Sequence, residues 1–430
     1  MEISREPEFG GGISEVELDG SGCTIGEIES GVPELTPPQE RTDWQIASER
    51  ATAIELRQDF MAELLADPTP RMYRPDLDPK FWKLPRREHA VIRSTGTNEE
   101  KENAVASALQ WLAAHQQPDG GWSFAHRSVG FSPCPADCQH EGTYRDARPG
   151  ATALALLPFL GAGQTHKTGK YKKNVEAALH FLTQHMKVRK VNDVECGSYP
   201  RDTSIPVQSL CTLALCEAYS MTFDKGLQQP AQFALNQLLR EPAELDDGYR
   251  WMAIRSGASA YLKVPTRQLH RGQLLLAILS DQSQHKFATP ARNQALVSVA
   301  LLDRWFERKT PVEFPLEGNE SSSGEPPTPE NDAGLRQAVQ WLGDWGPKGD
   351  LDYQYFATQT LRHRGGESWD VWFNKTIKHL VDSQEKTGHQ KGSWYFAVDH
   401  GAAGGGRLYC TALAMMILEV YYRHLPVYGE

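Results

Sequence analysis

The stretch AVASALQWLAAHQQPDGGWSF, residues 104–124, joins an amphipathic helix to a Gln-x3-Gly-x-Trp turn made by Gln116, Gly120 and Trp122. A second, more apolar helix follows over 150–163. A hairpin of this kind cannot bury its own apolar face, so it needs copies of itself as neighbours, and the pattern does return in shortened form down the chain. The repeat therefore restricts the chain to helix-on-helix architectures before any residue is weighed for chemistry.

Outer-type amphipathic helices are expected at 103–115, 172–185, 231–239, 267–280, 335–342 and 369–383. Each is followed by an inner-type helix rich in Ala, Leu, Met, Cys and Thr, at 150–160, 207–221, 249–262, 292–306, 353–363 and 408–422. Apolar residues run round most of each inner helix, as burial on several sides requires. The inner helices begin roughly 40 to 60 residues apart, and about six hairpins can close on themselves. No region reads as strand-rich, so the expected fold is all-α, with inner and outer rings of helices. Residues 1–42, rich in Gly, Glu, Ser and Pro, read as a disordered arm. Residues 43–97 read as a helix over 43–65 followed by a Pro-punctuated connector. The repeats fill 98–430, with a Pro-rich insertion at 312–331 that is expected to be mobile.

A net charge of −10 over 430 residues, with no basic cluster, speaks against nucleic acid or an anionic membrane as partner. The longest apolar run, 151–163, is broken by Pro158 and too short to span a bilayer. The opening MEISREPEFGGG lacks the features of a signal peptide. The expectation is a cytoplasmic protein, or a fragment of a longer one anchored upstream, with its oligomeric state open. Seven cysteines, an odd and thinly spread count, fit a reducing compartment. Cys211, Cys216 and Cys410 sit among apolar residues as small core side chains.

The turn at Gln116, Gly120 and Trp122, with a looser copy at Gln384, Gly388, Gly392 and Trp394, resembles the QW motif of squalene and oxidosqualene cyclases. Similar repeats build the catalytic subunit of protein prenyltransferases. The phrases GATALALLPFLGAGQTHKTGKYKK, LALCEAYSMT and YCTALAMMILEVYYRHLP are similar to a bacterial group of squalene-cyclase or prenyltransferase repeat proteins, mostly without an assigned reaction. The resemblance implies an α/α toroid that encloses an isoprenoid or other apolar ligand, or alternatively a binding or scaffold module that engages a protein partner. The motif residues themselves read as clamps: Gly120 permits the sharp turn, Trp122 packs on the next helix end, and Gln116 bonds the backbone there.

Cyclases of that family protonate an alkene with an Asp of an Asp-x-Asp-Asp motif at an inner-helix start. The matching junctions here hold Asp202 in the second repeat, Glu244, Asp246 and Asp247 in the third, and Asp350 and Asp352 in the fifth. All are candidate acids, with Glu244–Asp247 ranked before Asp350 and Asp352, and each equally fits a helix cap. Trp251, Tyr353, Tyr355, Phe356 and Tyr409, near inner-helix starts, can line a cation-stabilising cavity or simply pack between helix ends. The prenyltransferase alternative needs an Asp-x-Cys motif, and Cys410 has no Asp two residues before it. His166 can cap the preceding helix, and the turn 401–406 can receive an anion such as a diphosphate. No cofactor is required by these readings. One loop offers a metal: His126, Cys134, Cys138 and His140 can close a structural zinc tetrahedron, the alternatives being a local disulfide or two unpaired thiols.

Overall fold

The computed structural model describes residues 99–127, 134, 138–200, 205–241, 248–265, 342–344, 346–347, 350–364 and 366–423. The expected arm, the 43–97 segment, the helices at 267–280 and 292–306, most of that at 335–342, and the insertion 312–331 lie outside the described residues.

The first outer helix, α1 (Glu99–Ala114), places Glu99, Glu100 and Glu102 at its positive end and buries Ala104, Val105, Ala108, Leu109, Trp111 and Leu112. Inner helix α2 (Arg148–Gly161) is buried from Pro149 to Leu160. It is followed by α3 (Lys172–His185), α4 (Val207–Thr222), α5 (Lys225–Arg240) and α6 (Gly248–Ser259). After the undescribed stretch come α7 (Leu351–Arg364), α8 (Glu367–Ser383) and α9 (Ala402–Arg423). Helix α5 starts at Lys225 rather than at 231 because Asp224 caps it, accepting from the Gly226 amide at 2.9 Å. Asp224 also takes His166 Nε2 at 3.0 Å, so His166 ties two repeats together instead of capping α2. Burial would raise the Asp224 pKa, but His166, Lys167 and the Gly226 amide hold it well below the usual carboxylate range.

Strands, absent from the sequence reading, do occur. Strand β1 (Lys187–Val191) pairs antiparallel with β2 (Val194–Ser198), Lys187 opposite Ser198. Asn192 and Asp193 both adopt positive φ, the two-residue turn that matches strand twist. The described residues are nonetheless 63% helix against 5% strand, so the class remains all-α.

Inner helices pack in the order α6, α4, α2, α9, α7, and each described outer helix lies mainly on the inner helix that precedes it, α3 on α2, α5 on α4, α8 on α7 and α1 on α9. The last inner helix thus meets the first, and α8 meets α1. The Gln-Gly-Trp clamps explain how. In the first, Gln116 Nε2 donates to Gly120 O at 2.8 Å and to Asn174 O of α3 at 2.9 Å, and Trp122 Nε1 donates to Leu112 O at 2.8 Å. In the last, Gln384 Nε2 donates to Gly392 O at 2.9 Å and to Ala104 O of α1 at 2.8 Å, and Trp394 Nε1 donates to Leu380 O at 2.7 Å. Each clamp therefore holds the outer helix of another repeat, and the last holds the first. Gly120 and Gly392 have φ of 86° and 90°, and a Cβ on either would strike the backbone of the gripped helix. Gly392, not Gly388, is the equivalent of Gly120.

A third clamp is hidden in the second repeat. Tyr199 OH donates to Leu182 O at 3.0 Å, replacing the indole. Gln208, placed on α4 instead of at the helix end, accepts from Tyr199 N at 3.0 Å and donates to Ala234 O of α5 at 3.1 Å. The same three jobs are done by different residues.

Candidate functional site

The start of α7 lies against the start of α9 and the first turn of α6, and this junction gathers acidic and phenolic groups. Asp350 caps α7, its Oδ1 accepting from Tyr353 N at 2.9 Å, while Oδ2 bonds His400 Nδ1. Asp352 does not cap. Its Oδ1 accepts from Tyr249 OH, its Oδ2 accepts from Tyr409 OH at 3.1 Å, and His400 Nε2 stands 3.5 Å from Oδ2. Asp399 ties two helix starts, accepting from Leu351 N at 2.7 Å and Gly401 N at 2.8 Å. The two roles that the sequence leaves open for these acids are thus divided: Asp350 and Asp399 cap, and Asp352 faces phenols.

Charge follows burial. Burial, with the Asp350 charge beside it, raises the Asp352 pKa above the usual carboxylate range, against the pull of His400 and the two hydroxyls. Burial likewise pushes Asp399 up to about 7. The hydrogen bond to Asp350 holds His400 protonated up to about 9. Asp350, Asp352 and His400 offer donor atoms within 4.8 Å of one another, close enough for an ion. The same geometry suits proton handling, since His400 bridges the two carboxylates and is itself 61% exposed.

Both raised groups bind a proton in the folded state that the unfolded chain has released, Asp399 between about pH 4 and 7 and His400 between about pH 6.5 and 9. Their contribution to stability therefore falls as pH rises through those windows. Asp224 works in the opposite sense, its contribution being lost only as pH falls below about 4. Melting temperature measured across this range should decline more steeply for the native chain than for Asp399→Asn between about pH 4 and 7. Equal slopes would remove Asp399 from this role.

Around Asp352 the aromatic rings form a group. Tyr249 stacks on Tyr355 at 6.3 Å and meets Phe356 edge-on at 5.3 Å. Of the expected lining residues, Tyr355, Phe356 and Tyr409 belong to this group. Trp251 is buried further along α6. Tyr353 turns away toward the outer layer, its hydroxyl donating to Gly346 O at 3.2 Å and its ring meeting Trp372. Asp202, Glu244, Asp246 and Asp247 lie outside the described residues. Sequence reasoning missed Tyr249, Asp399 and His400. Tyr249 stands at an inner-helix start beside the chosen Trp251, and Asp399-His400 directly precedes the glycine turn, so position alone could have flagged them.

The turn 401–406 is packed against protein rather than open. Gly401 N bonds Asp399 Oδ1 at 2.8 Å, Gly405 N bonds Gly401 O at 2.7 Å, the following Arg407 N bonds His140 O at 2.7 Å, and the loop 140–144 lies against the turn. Cβ atoms at Gly404 and Gly406 would strike Tyr144 and the backbone at 140–142. Cys410 is buried, and that burial pushes its thiol up to about 12, leaving a core side chain.

A second cluster of soft donors forms beside the first clamp. One ring nitrogen each from His115 and His126 and the Sγ atoms of Cys134 and Cys138 lie within 4.8 Å of one another and could hold a metal ion. Cys138 Sγ is 3.4 Å from His126 Nε2 and 3.7 Å from His115 Nε2. Both cysteines are thiols, so no disulfide joins them. His140 stands apart from the expected set: it stacks on Tyr395 at 3.9 Å and bonds Arg407 Nη2 at 2.9 Å, and burial with the Arg407 charge lowers its pKa. His115 takes the place expected for His140. It lies at the end of α1, brought in by the turn at Gly120, which no local cysteine spacing reveals.

No helix among the described residues is long and apolar enough to cross a membrane. No protein-family model, curated protein or solved structure matches the chain.

Proposed function

We propose that the chain is a terpenoid-cyclase-like enzyme of the α/α-toroid, QW-repeat kind, in which Asp352 protonates an alkene of an isoprenoid substrate. Ring closure is supported by the last clamp gripping α1 and by α9 packing on α2. The observation that carries the reaction is the setting of Asp352, a carboxyl only 20% exposed that caps nothing and has two phenols and an imidazole turned toward its oxygens.

Burial keeps the proton on Asp352 until an alkene arrives. The alkene π pair then takes that proton to form a C–H bond, leaving a carbocation. The carboxylate left behind is stabilised where it stands by Tyr249, Tyr409 and His400. The faces of Tyr249, Tyr355 and Phe356 are suited to the developing cation, which ends by losing a proton or taking water. His400, 61% exposed, links the acid to solvent and can return the proton.

That same exposure favours one other reading, a non-catalytic binding module whose acidic cluster is a rim. Incubation with squalene and with shorter prenyl substrates, followed by gas chromatography of the extract, separates the two. The enzyme reading expects a cyclic product that Asp352→Asn does not make, and no product from any substrate would leave the binding reading. For the soft cluster, thiolate and imidazole donors favour Zn²⁺ over a hard cation, in a structural role apart from the protonation.

A further inference from the structure

The soft cluster reaches beyond the first repeat. His389, in the loop of the last clamp, has its Nε2 3.0 Å from His115 Nε2 and 3.5 Å from Cys134 Sγ. His115 Nδ1 lies 2.7 Å from the carbonyl of Trp111, which can only accept, so the proton of a neutral His115 is on Nδ1 and its Nε2 carries a bare lone pair. That lone pair points into a group made of two further imidazoles and two thiols. Donors of this kind crowd together around a shared cation, and the hydrogen bond to Trp111 is the outer support that zinc-bound histidines usually have.

We propose that Zn²⁺ at this site is a clasp between the two ends of the repeat array, with His115, His126, Cys134 and Cys138 of the first repeat as its four ligands and His389 of the last repeat hydrogen-bonded through Nε2 to the Cys134 sulfur. The proposal rests on the assignment of the cluster to zinc and goes beyond a loop staple, because residues 274 apart in sequence meet there. The location supports it. The last clamp already grips α1 through Gln384, and Arg407 of α9 reaches the same loop, donating Nε to Gln139 O at 3.2 Å and Nη1 to Ser393 Oγ at 3.0 Å. The metal would hold the Cys134 sulfur as a thiolate, a stronger acceptor for His389, and so tighten a contact otherwise held by neutral hydrogen bonds.

The test uses the full chain under reducing conditions, stripped with chelator and titrated with Zn²⁺, reading metal content, affinity, melting temperature and hydrogen exchange. One equivalent of Zn²⁺ is expected to raise the melting temperature and to slow exchange both around 115–126 and in the 384–394 loop. Cys134→Ser, at a half-buried position, and Cys138→Ala should each lose the metal, and His140→Ala should keep it. His389→Ala should still bind one Zn²⁺, about 10- to 100-fold more weakly, and should lose the metal-dependent protection of 384–394. If no Zn²⁺ binds the native chain, or both cysteine variants bind it equally well, the zinc assignment itself fails. If Zn²⁺ binds but His389→Ala matches the native chain in affinity and in protection of 384–394, the clasp fails and a local staple remains.

Discussion

Asp352→Asn is expected to lower cyclisation by about 100- to 10,000-fold, the range that a positioned general acid contributes, with little change in melting temperature. Asparagine keeps the shape and can still bond Tyr249 and Tyr409, so the junction of α6, α7 and α9 stays assembled while its transferable proton is gone. Asp350→Asn should act differently, because Asp350 caps α7 through Tyr353 N and also holds the His400 imidazolium. Its loss removes the positioning of His400 and should shift the alkaline limb of the pH–rate profile downward rather than abolish turnover. A comparable residual rate in Asp352→Asn would move the acid elsewhere, with Asp399 the next group held protonated near neutrality.

Trp394→Ala should cost about 3–5 kcal/mol, as for other large buried aromatics, a large share of the roughly 5–15 kcal/mol that holds a domain together. Trp394 is fully buried, its indole bonds Leu380 O, and its own amide donates to Thr411 Oγ1 at 3.1 Å. Removing it leaves a void between α8 and α9, at the clamp through which Gln384 reaches α1. Gly392→Ala tests the same clamp from the other side, since its Cβ would strike the backbone at Ser107 and its φ of 90° is strained for alanine. Urea midpoints should fall in both variants. A loss below about 1 kcal/mol, the scale of a single exposed contact, would show that the clamp does not fasten α1.

Why some of this was legible follows from how each signal is written. The clamps at Trp122 and Trp394 were readable because a tight turn needs glycine at a fixed distance from a large ring. The clamp at Tyr199 was not, because Gln208 supplies its amide from the next helix and tyrosine replaces tryptophan, so the pattern survives only in space. Helix α3 matched its expected bounds, while α5 began early because Asp224 outweighed the signal of Pro230 inside the helix. The hairpin at 187–198 was overlooked although Val-Asn-Asp-Val between β-branched residues is a strand-turn signature. At the site, Asp350 and Asp352 were visible from their place at a helix start. Which one is a cap and which faces phenols depends on Tyr249 of α6 and Tyr409 of α9, 103 and 57 residues from Asp352 in sequence, and no local rule reports that. The metal cluster shows the same limit: Cys134 and Cys138 stand out by spacing, whereas His115 joins them through the turn at Gly120 and His389 only through the contact between the first and last repeats.

Deuterium incorporation tests the central claim most directly. If Asp352 is the acid, its proton exchanges with D₂O before each turnover, and cyclisation then places one solvent deuterium on the carbon that is protonated first. The expected result is a cyclic product heavier by a single deuterium, at the position where the alkene was attacked, and its absence with Asp352→Asn. A cyclic product without deuterium, or one formed equally by Asp352→Asn, would contradict it.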